Sequence, residues 1–417
     1  MHLYDIPLIF VLAGLVFYAV LGGADFGAGF WQLTAGKGPH AQSIRDHAHH
    51  AIAPVWEANH VWLVFVLTVT WTAYPTAFGA IASTLSVPLF IAGLGIIFRG
   101  ATYALRAGAA GLREQRVVDT VFSVSSILAP FALGTVVGAI AARRVPVGNA
   151  AGDQFSSWLN GTAVLTGVLA VAISAYMAAV FLCADAVRLG ELELEAQFRK
   201  RALASAVIAG AIVLAGLPVV RSQAHPLFHG LVHGKGLAAL VVSVIAGICT
   251  FGLVLRRRYE PARYSAAVAV GAVVAGWALA QSPTILPGLT IKEAAAAHDT
   301  LVAIIVSVLA GGAILFPSLA LLFKLVLGGR LDEHEPPRTL SARDLVGVSA
   351  PRLLTRVAAA CLIAGLGFTT VADAAWAHAI GATCLLAFVA FAFPAALPPD
   401  ILGEPSAART EGEGQSL

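Results

Sequence analysis

Apolar runs of about 18–30 residues recur along this sequence, near residues 5–34, 51–74, 77–105, 119–142, 157–187, 202–220, 235–255, 264–281, 298–327, 353–372 and 374–396. A bilayer core about 30 Å thick is crossed by about 20 apolar helical residues, and an ordinary soluble domain carries few such runs. The pattern predicts an all-α polytopic membrane protein with about eleven transmembrane helices. Of the 417 residues, 58% are hydrophobic and only 12% are charged, with a mean hydropathy of +0.83. The net charge is +3 and the basic residues are scattered. Nothing forms the concentrated basic face that nucleic-acid binding needs.

The first apolar run starts almost at Met1, lacks a basic leader and is too long for a signal-peptide core, so it reads as a retained first helix. About nine helices make up a core over residues 1–330. A polar stretch with Asp332, Glu333, His334, Glu335, Pro336 and Pro337 reads as a linker over 331–352. An appended helix pair follows over 353–396, with two spans favoured over one broken helix despite the short join at Val371 to Ala375. The tail, 397–417, is rich in Gly, Glu, Ser and Ala and is expected to be disordered. Alternate loops carry Lys and Arg very unequally, 19 against 5. This bias puts the N-terminus outside and the C-terminus in the cytoplasm.

The second run opens with Trp56, Glu57, Asn59, His60 and Trp62. A carboxylate within a span costs about 2.5–3.5 kcal/mol on insertion scales, and such groups ordinarily pair or lie on proton or ion paths. Glu57 is therefore the first candidate for proton transfer. Asp25 is the second, set in the small-residue run Gly22-Gly23-Ala24-Asp25-Phe26-Gly27-Ala28-Gly29, which would let another helix approach closely. Its simpler reading is a hydrated helix end. Trp56, Asn59 and Leu63 share one stripe and Glu57, His60 and Val64 the next, so this helix should face protein. Trp56 and Trp62 read as interfacial or packing aromatics. Arg99, inside the third run, either snorkels to the interface or neutralises Glu57 or Asp25.

His47, His49 and His50 read as a solvated loop, and Asp185 as the hydrated end of the fifth helix. Thr290 and Glu293 have capping-box spacing after the Pro- and Gly-punctuated segment from Ser282. Cys183, Cys249, Cys361 and Cys384 stand singly in apolar surroundings, without the spacing of a disulfide framework, zinc site or iron–sulfur site. Glu57 and His60 spell one Glu-x-x-His, but a di-iron bundle needs a second copy and two further glutamates. No phosphate loop or nucleophile elbow occurs, which leaves chemistry based on protons, lipophilic substrates or a partner's cofactor.

The runs Gly23 to Gly29, Ala51-Ile52-Ala53-Pro54-Val55-Trp56-Glu57-Ala58-Asn59-His60-Val61-Trp62-Leu63, Phe98-Arg99, Gly190-Glu191-Leu192 and Ser282 to Ala295 occur in an order that resembles subunit II of the cytochrome bd quinol oxidase family. The likeness covers about residues 1–330. It implies two four-helix bundles plus a peripheral helix, packed on a subunit I that carries the b-type and d-type haems and the quinol site, in a bacterial plasma membrane. It implies no haem or metal on this chain, and leaves open a structural quinone and small accessory subunits. It places the acid at Glu57 on a cytoplasmic proton route toward the oxygen-reducing haem, with Asp25 assisting and Trp56, Asn59, His60 and Arg99 supporting. Quinol, O2 and membrane lipid are the expected small partners. The appended helix pair departs from the family pattern. Two rival readings are a stand-alone proton-coupled transporter and a purely structural subunit in which Glu57 only pairs with Arg99. The transporter would need matched broken helices in the two halves, which the sequence does not display.

Overall fold

In lipid, a backbone must satisfy its N–H and C=O groups within its own segment, so apolar runs of this length become helices. Residues 2–36, 38–50, 56–106, 112–327, 352–370 and 374–396 are described in a computed structural model of the chain. Each of the eleven runs is helical over most of its described part.

The first span runs from Leu3 to Leu33 and comprises α1 (Ile6–Phe17), a π-turn (Tyr18–Gly22) and α2 (Gly23–Leu33). Next come α3 (Pro39–His50), α4 (Trp56–Ala73), α5 (Pro75–Thr84), α6 (Ser86–Arg106) and α7 (Leu112–Ala141). The second half of the core holds α8 (Gly161–Arg188), α9 (Leu192–Gln223), α10 (His225–Val232), α11 (Leu237–Leu255) and α12 (Tyr259–Gln281). A small hairpin of β1 (Thr284–Leu286) and β2 (Leu289–Thr290) leads through α13 (Ile291–Ala294) to α14 (His298–Leu327). Finally α15 (Arg352–Thr370) and α16 (Ala375–Ala396) pack on each other.

Among the described residues, seven helices are long and apolar enough to cross a membrane, and the pair α5–α6, bent by 82°, counts as an eighth. Residues 59–73, 356–368 and 376–392 form shorter apolar helices. The chain divides into two compact units, residues 1–318 and 319–417. Of the expected linker and tail, all but Arg352 lie outside the described residues.

Three expectations are corrected. The histidine segment is the helix α3, and His47 is buried with Nε2 at 3.2 Å from the Leu182 carbonyl oxygen. The side chains of His49 and His50 lie outside the described residues. Helices α7 and α9 start before their apolar runs, at Leu112 and Leu192, because charged residues extend each helix beyond its apolar part. The two halves do contain matched interruptions. Buried Tyr74 (φ −136°, ψ 59°) precedes a short helix with Pro75 in its first turn. Buried Ala224 (φ −130°, ψ 48°) precedes another with Pro226 in its first turn. Proline lacks the N–H that a continuous helix would need but suits a first turn, so each interruption is written locally.

Packing depends on small residues. A Cβ on Gly27 would lie 1.9 Å from the Ser174 carbonyl oxygen of α8, and one on Gly29 would lie 2.3 Å from Ser126 of α7. Helix α2 thus wedges between α7 and α8, as the small-residue run anticipates. One hydrophobic cluster gathers α2, α3, α8, α9 and α12 around Met177, Phe198 and Ala262. Another gathers α1, α4, α5, α6, α7 and the hairpin around Tyr74 and Leu85. The end of the core carrying Arg106, Arg188 and Arg256 is here the basic end, and the opposite end is the hairpin end.

Gly27→Ala forces a backbone clash and is expected to destabilise by about 1–3 kcal/mol, whereas Gly93→Ala meets open space and is expected to be neutral or slightly stabilising. Thermal unfolding in detergent distinguishes the two. At the hairpin end, hydrogen bonds from the Thr290 N–H and hydroxyl hold the Glu293 carboxyl below its usual range. A lowered carboxyl stabilises above its unfolded pKa, and that contribution fades as pH falls through the folded value. Protection of the Thr290 to Ala294 amides, relative to their intrinsic exchange rate, should therefore hold at neutral pH and weaken only as acid protonates the Glu293 carboxyl.

Candidate functional site

Near the basic end of the first half, Asp25 of α2 and Arg99 of α6 form an ion pair, Nη2 to Oδ1, at 2.5 Å. Each residue is only 2% exposed. The same Nη2 donates to the Asp25 carbonyl oxygen at 3.2 Å. The guanidinium lies over Phe26 of α2 (5.1 Å) and Phe122 of α7 (4.7 Å), so aromatic faces take up part of its charge. Arg99 therefore neutralises the Asp25 carboxylate rather than snorkelling, while the side chain of Glu57, the other candidate, lies outside the described residues. The reading of Asp25 as a hydrated helix end is corrected.

Asn59 of α4 is 1% exposed, donates from Nδ2 to the Leu21 carbonyl oxygen at 3.3 Å, and its amide faces the Asp25 carboxylate. Leu21 belongs to the π-turn, a feature that often marks functional sites in helices. The half-buried His60 ring lies 6.1 Å from Phe26 and 6.2 Å from Tyr18. Trp62 stacks on Phe17 at 4.5 Å, which bears out its reading as a packing aromatic. The structure thus brings Asp25, Arg99, Asn59 and His60 together. The side chains of Trp56 and Glu57 lie outside the described residues, although α4 carries both positions on its backbone one turn from His60.

A second polar group occupies the basic end of the other half. Asp185 is ion-paired to Arg263 at 2.5 Å and to Arg188 at 2.8 Å, so it is more than a hydrated helix end. Buried Glu195 accepts a very short hydrogen bond from the Tyr259 hydroxyl, with Arg257 at 3.8 Å. Sequence reasoning missed Glu195, Tyr259 and Tyr18. Glu195 sits in a charged stretch that reads as solvated, and only the fold turns it inward against α12.

What the first site can do follows from its chemistry. A carboxylate paired once by a guanidinium keeps a second oxygen for another partner, and a neighbouring imidazole can accept or donate a proton. The arrangement suits holding or passing a proton. Each half thus carries buried or ion-paired acids at its basic end.

Compared with known proteins, residues 3–326 match the family described as cytochrome bd terminal oxidase subunit II. The chain is 30% identical over 134 residues to cytochrome bd ubiquinol oxidase subunit 2 of Bacillus subtilis (strain 168), which is 32% of this chain and 39% of that protein. It is 25% identical over 124 residues to cytochrome bd-I ubiquinol oxidase subunit 2 of Escherichia coli (strain K12), covering 30% of this chain and 32% of that protein. These alignments span well under half the length of either relative. In fold, a chain of the bd oxidase structure from Geobacillus thermodenitrificans matches with a TM-score of 0.61 at 24% identity, over 78% of this chain and 99% of that one.

Breaking the pair strands a buried charge, which typically costs about 3–5 kcal/mol. Arg99→Ala should therefore lower the unfolding midpoint far more than the double change Asp25→Asn with Arg99→Gln. A double-mutant cycle on thermal unfolding checks the difference, and equal losses in the two variants would contradict a functioning ion pair.

Proposed function

The chain belongs to the cytochrome bd terminal oxidase subunit II family, and from that premise we propose that it is the haem-free membrane subunit of an oxidase that couples quinol oxidation to reduction of O2 to water. Its relatives are described as ubiquinol oxidase subunits, and the family resemblance assigns the b-type and d-type haems to a partner subunit I. This chain would scaffold that subunit and deliver protons to it. Small accessory subunits and a structural quinone are compatible with this role. The complex would sit in a bacterial plasma membrane with the N-terminus outside and the basic end and C-terminus in the cytoplasm, as the Lys and Arg count indicates.

One observation carries the proton-route reading: a buried acid, paired on one oxygen only, stands beside Asn59 and His60 on the helix that also carries Glu57. Glu57 receives protons from the cytoplasm and Asp25 passes or balances them. Arg99 holds Asp25 in place, Asn59 braces the π-turn, and Trp56 and His60 line the approach. Proton uptake from one side would build charge separation without pumping. The scaffold reading draws on the same ion pair, since a buried pair of this kind also clamps α2 to α6.

The two readings part on rate. Glu57→Gln and Asp25→Asn are expected to lower quinol-dependent oxygen consumption at least about tenfold, with the haem spectrum and subunit stoichiometry of the purified complex unchanged. Normal turnover in both variants would leave the clamp. A colourless chain that purifies without a haem protein would instead favour a stand-alone transporter.

A further inference from the structure

Tyr18 has no part in the roles assigned above, yet it is placed among the groups that carry them. It opens the π-turn, is buried, and its hydroxyl has no hydrogen-bond partner among the described residues. Three neighbours each hold an unmatched buried polar atom: Asp25 Oδ2, Asn59 Oδ1 and Arg99 Nη1. The Tyr18 ring meets Phe26 edge-on at 6.2 Å, stands 6.2 Å from His60, and its hydroxyl lies within electrostatic reach of both Asp25 and Arg99. Four unmatched atoms from α2, α4, α6 and the π-turn therefore share one neighbourhood.

Buried polar groups are nearly always hydrogen-bonded, and clusters of them are typically completed by an internal water with two to four partners. The inventory suits such a water. Arg99 Nη1 can only donate, Asp25 Oδ2 and Asn59 Oδ1 can accept, and the phenol can do either. The backbone makes room for the ring. In the π-turn the Gly23 N–H reaches the Tyr18 carbonyl oxygen five residues back. A Cβ on Gly22 would lie 3.2 Å from the ring, so glycine there lets the phenol lie along the helix toward Asp25.

We propose that Tyr18 is a positioning residue for proton transfer at Asp25, its hydroxyl holding an internal water against Asp25 Oδ2 with Asn59 Oδ1 and Arg99 Nη1 as the remaining partners. This rests on the proton-route reading above. A proton reaching the water passes to Oδ2 as the water's O–H bond breaks and the carboxyl O–H bond forms. Tyr18 keeps its own proton throughout and only orients the water. Among the described residues, the titratable and charged groups facing it are Asp25 on its own span, His60 from α4 and Arg99 from α6.

The test uses the assembled oxidase with its haem subunit. Tyr18→Phe keeps the ring and removes the hydroxyl. It should leave haem content unchanged, lower turnover by a hydrogen bond's worth, about three- to tenfold, and displace the pH profile of oxygen consumption. It should also shift an infrared carboxyl band that is absent in Asp25→Asn, and should slow Asp25→Asn no further. Gly22→Ala, which pushes the ring aside, should shift the same band. An unaltered rate, pH profile and carboxyl band in Tyr18→Phe would overturn the proposal. If Asp25→Asn itself keeps normal turnover, the proton route falls, while the band shift still reports whether Tyr18 orders the Asp25 carboxyl.

Discussion

The Asp25–Arg99 ion pair is the contact around which the first half of the core is arranged. Two opposite charges, each nearly sealed from solvent, are tolerable only if they meet with good geometry and if the remaining donors and acceptors find partners. Meeting requires α2 and α6 to hold fixed positions at the basic end. The guanidinium adds Phe26 and Phe122, which bring in α7, and Asn59 brings in α4 through the Leu21 carbonyl. Arg99 and Asn59 between them therefore tie α2, α4, α6 and α7 together.

The tight packing of α2 and its polar cluster depend on each other. Gly27 and Gly29 let α2 approach α7 and α8 to backbone contact, and that approach is what excludes solvent from Asp25. A bulkier stripe would hold the helices apart and wet the carboxylate, and the pair would then weaken by Coulomb screening. The π-turn a few residues earlier is the other side of this arrangement. It breaks the regular ladder where Asn59 needs a carbonyl, and it gives the Tyr18 ring a place beside the charge.

How far this was legible in the sequence follows from the range of each signal. The apolar runs and the small-residue stripe are local, and they locate the helices and the close approach of α2. The alternatives for Arg99 were also visible, because a cation within a span needs an acid. That it meets Asp25 was not, since Asp25 lies 74 positions away and only packing brings the two together. Tyr18 reads as an ordinary apolar-run aromatic, and nothing in its neighbours announces a π-turn. The matched interruptions at Tyr74–Pro75 and Ala224–Pro226 carry a proline signal, but their equivalence lies in backbone angles and place in the fold, which no single-sequence pattern displays.

The two halves spend their buried charge differently, and that difference bears on direction. In the second half, Asp185 is shared between Arg188 and Arg263, Glu260 approaches both arginines, and Glu195 is held by Tyr259 and Arg257. Each acid there has several partners, and part of the network is solvent-exposed, so it behaves as a strap across the ends of α8, α9 and α12. In the first half Arg106 forms looser, part-exposed pairs with Asp46 and Asp119, whereas Arg99 meets Asp25 in a drier setting, with unmatched polar atoms around the pair. A strap gains from satisfying every group. Among the described acids of these two groups, Asp25 is the one that keeps a buried carboxylate oxygen without a partner.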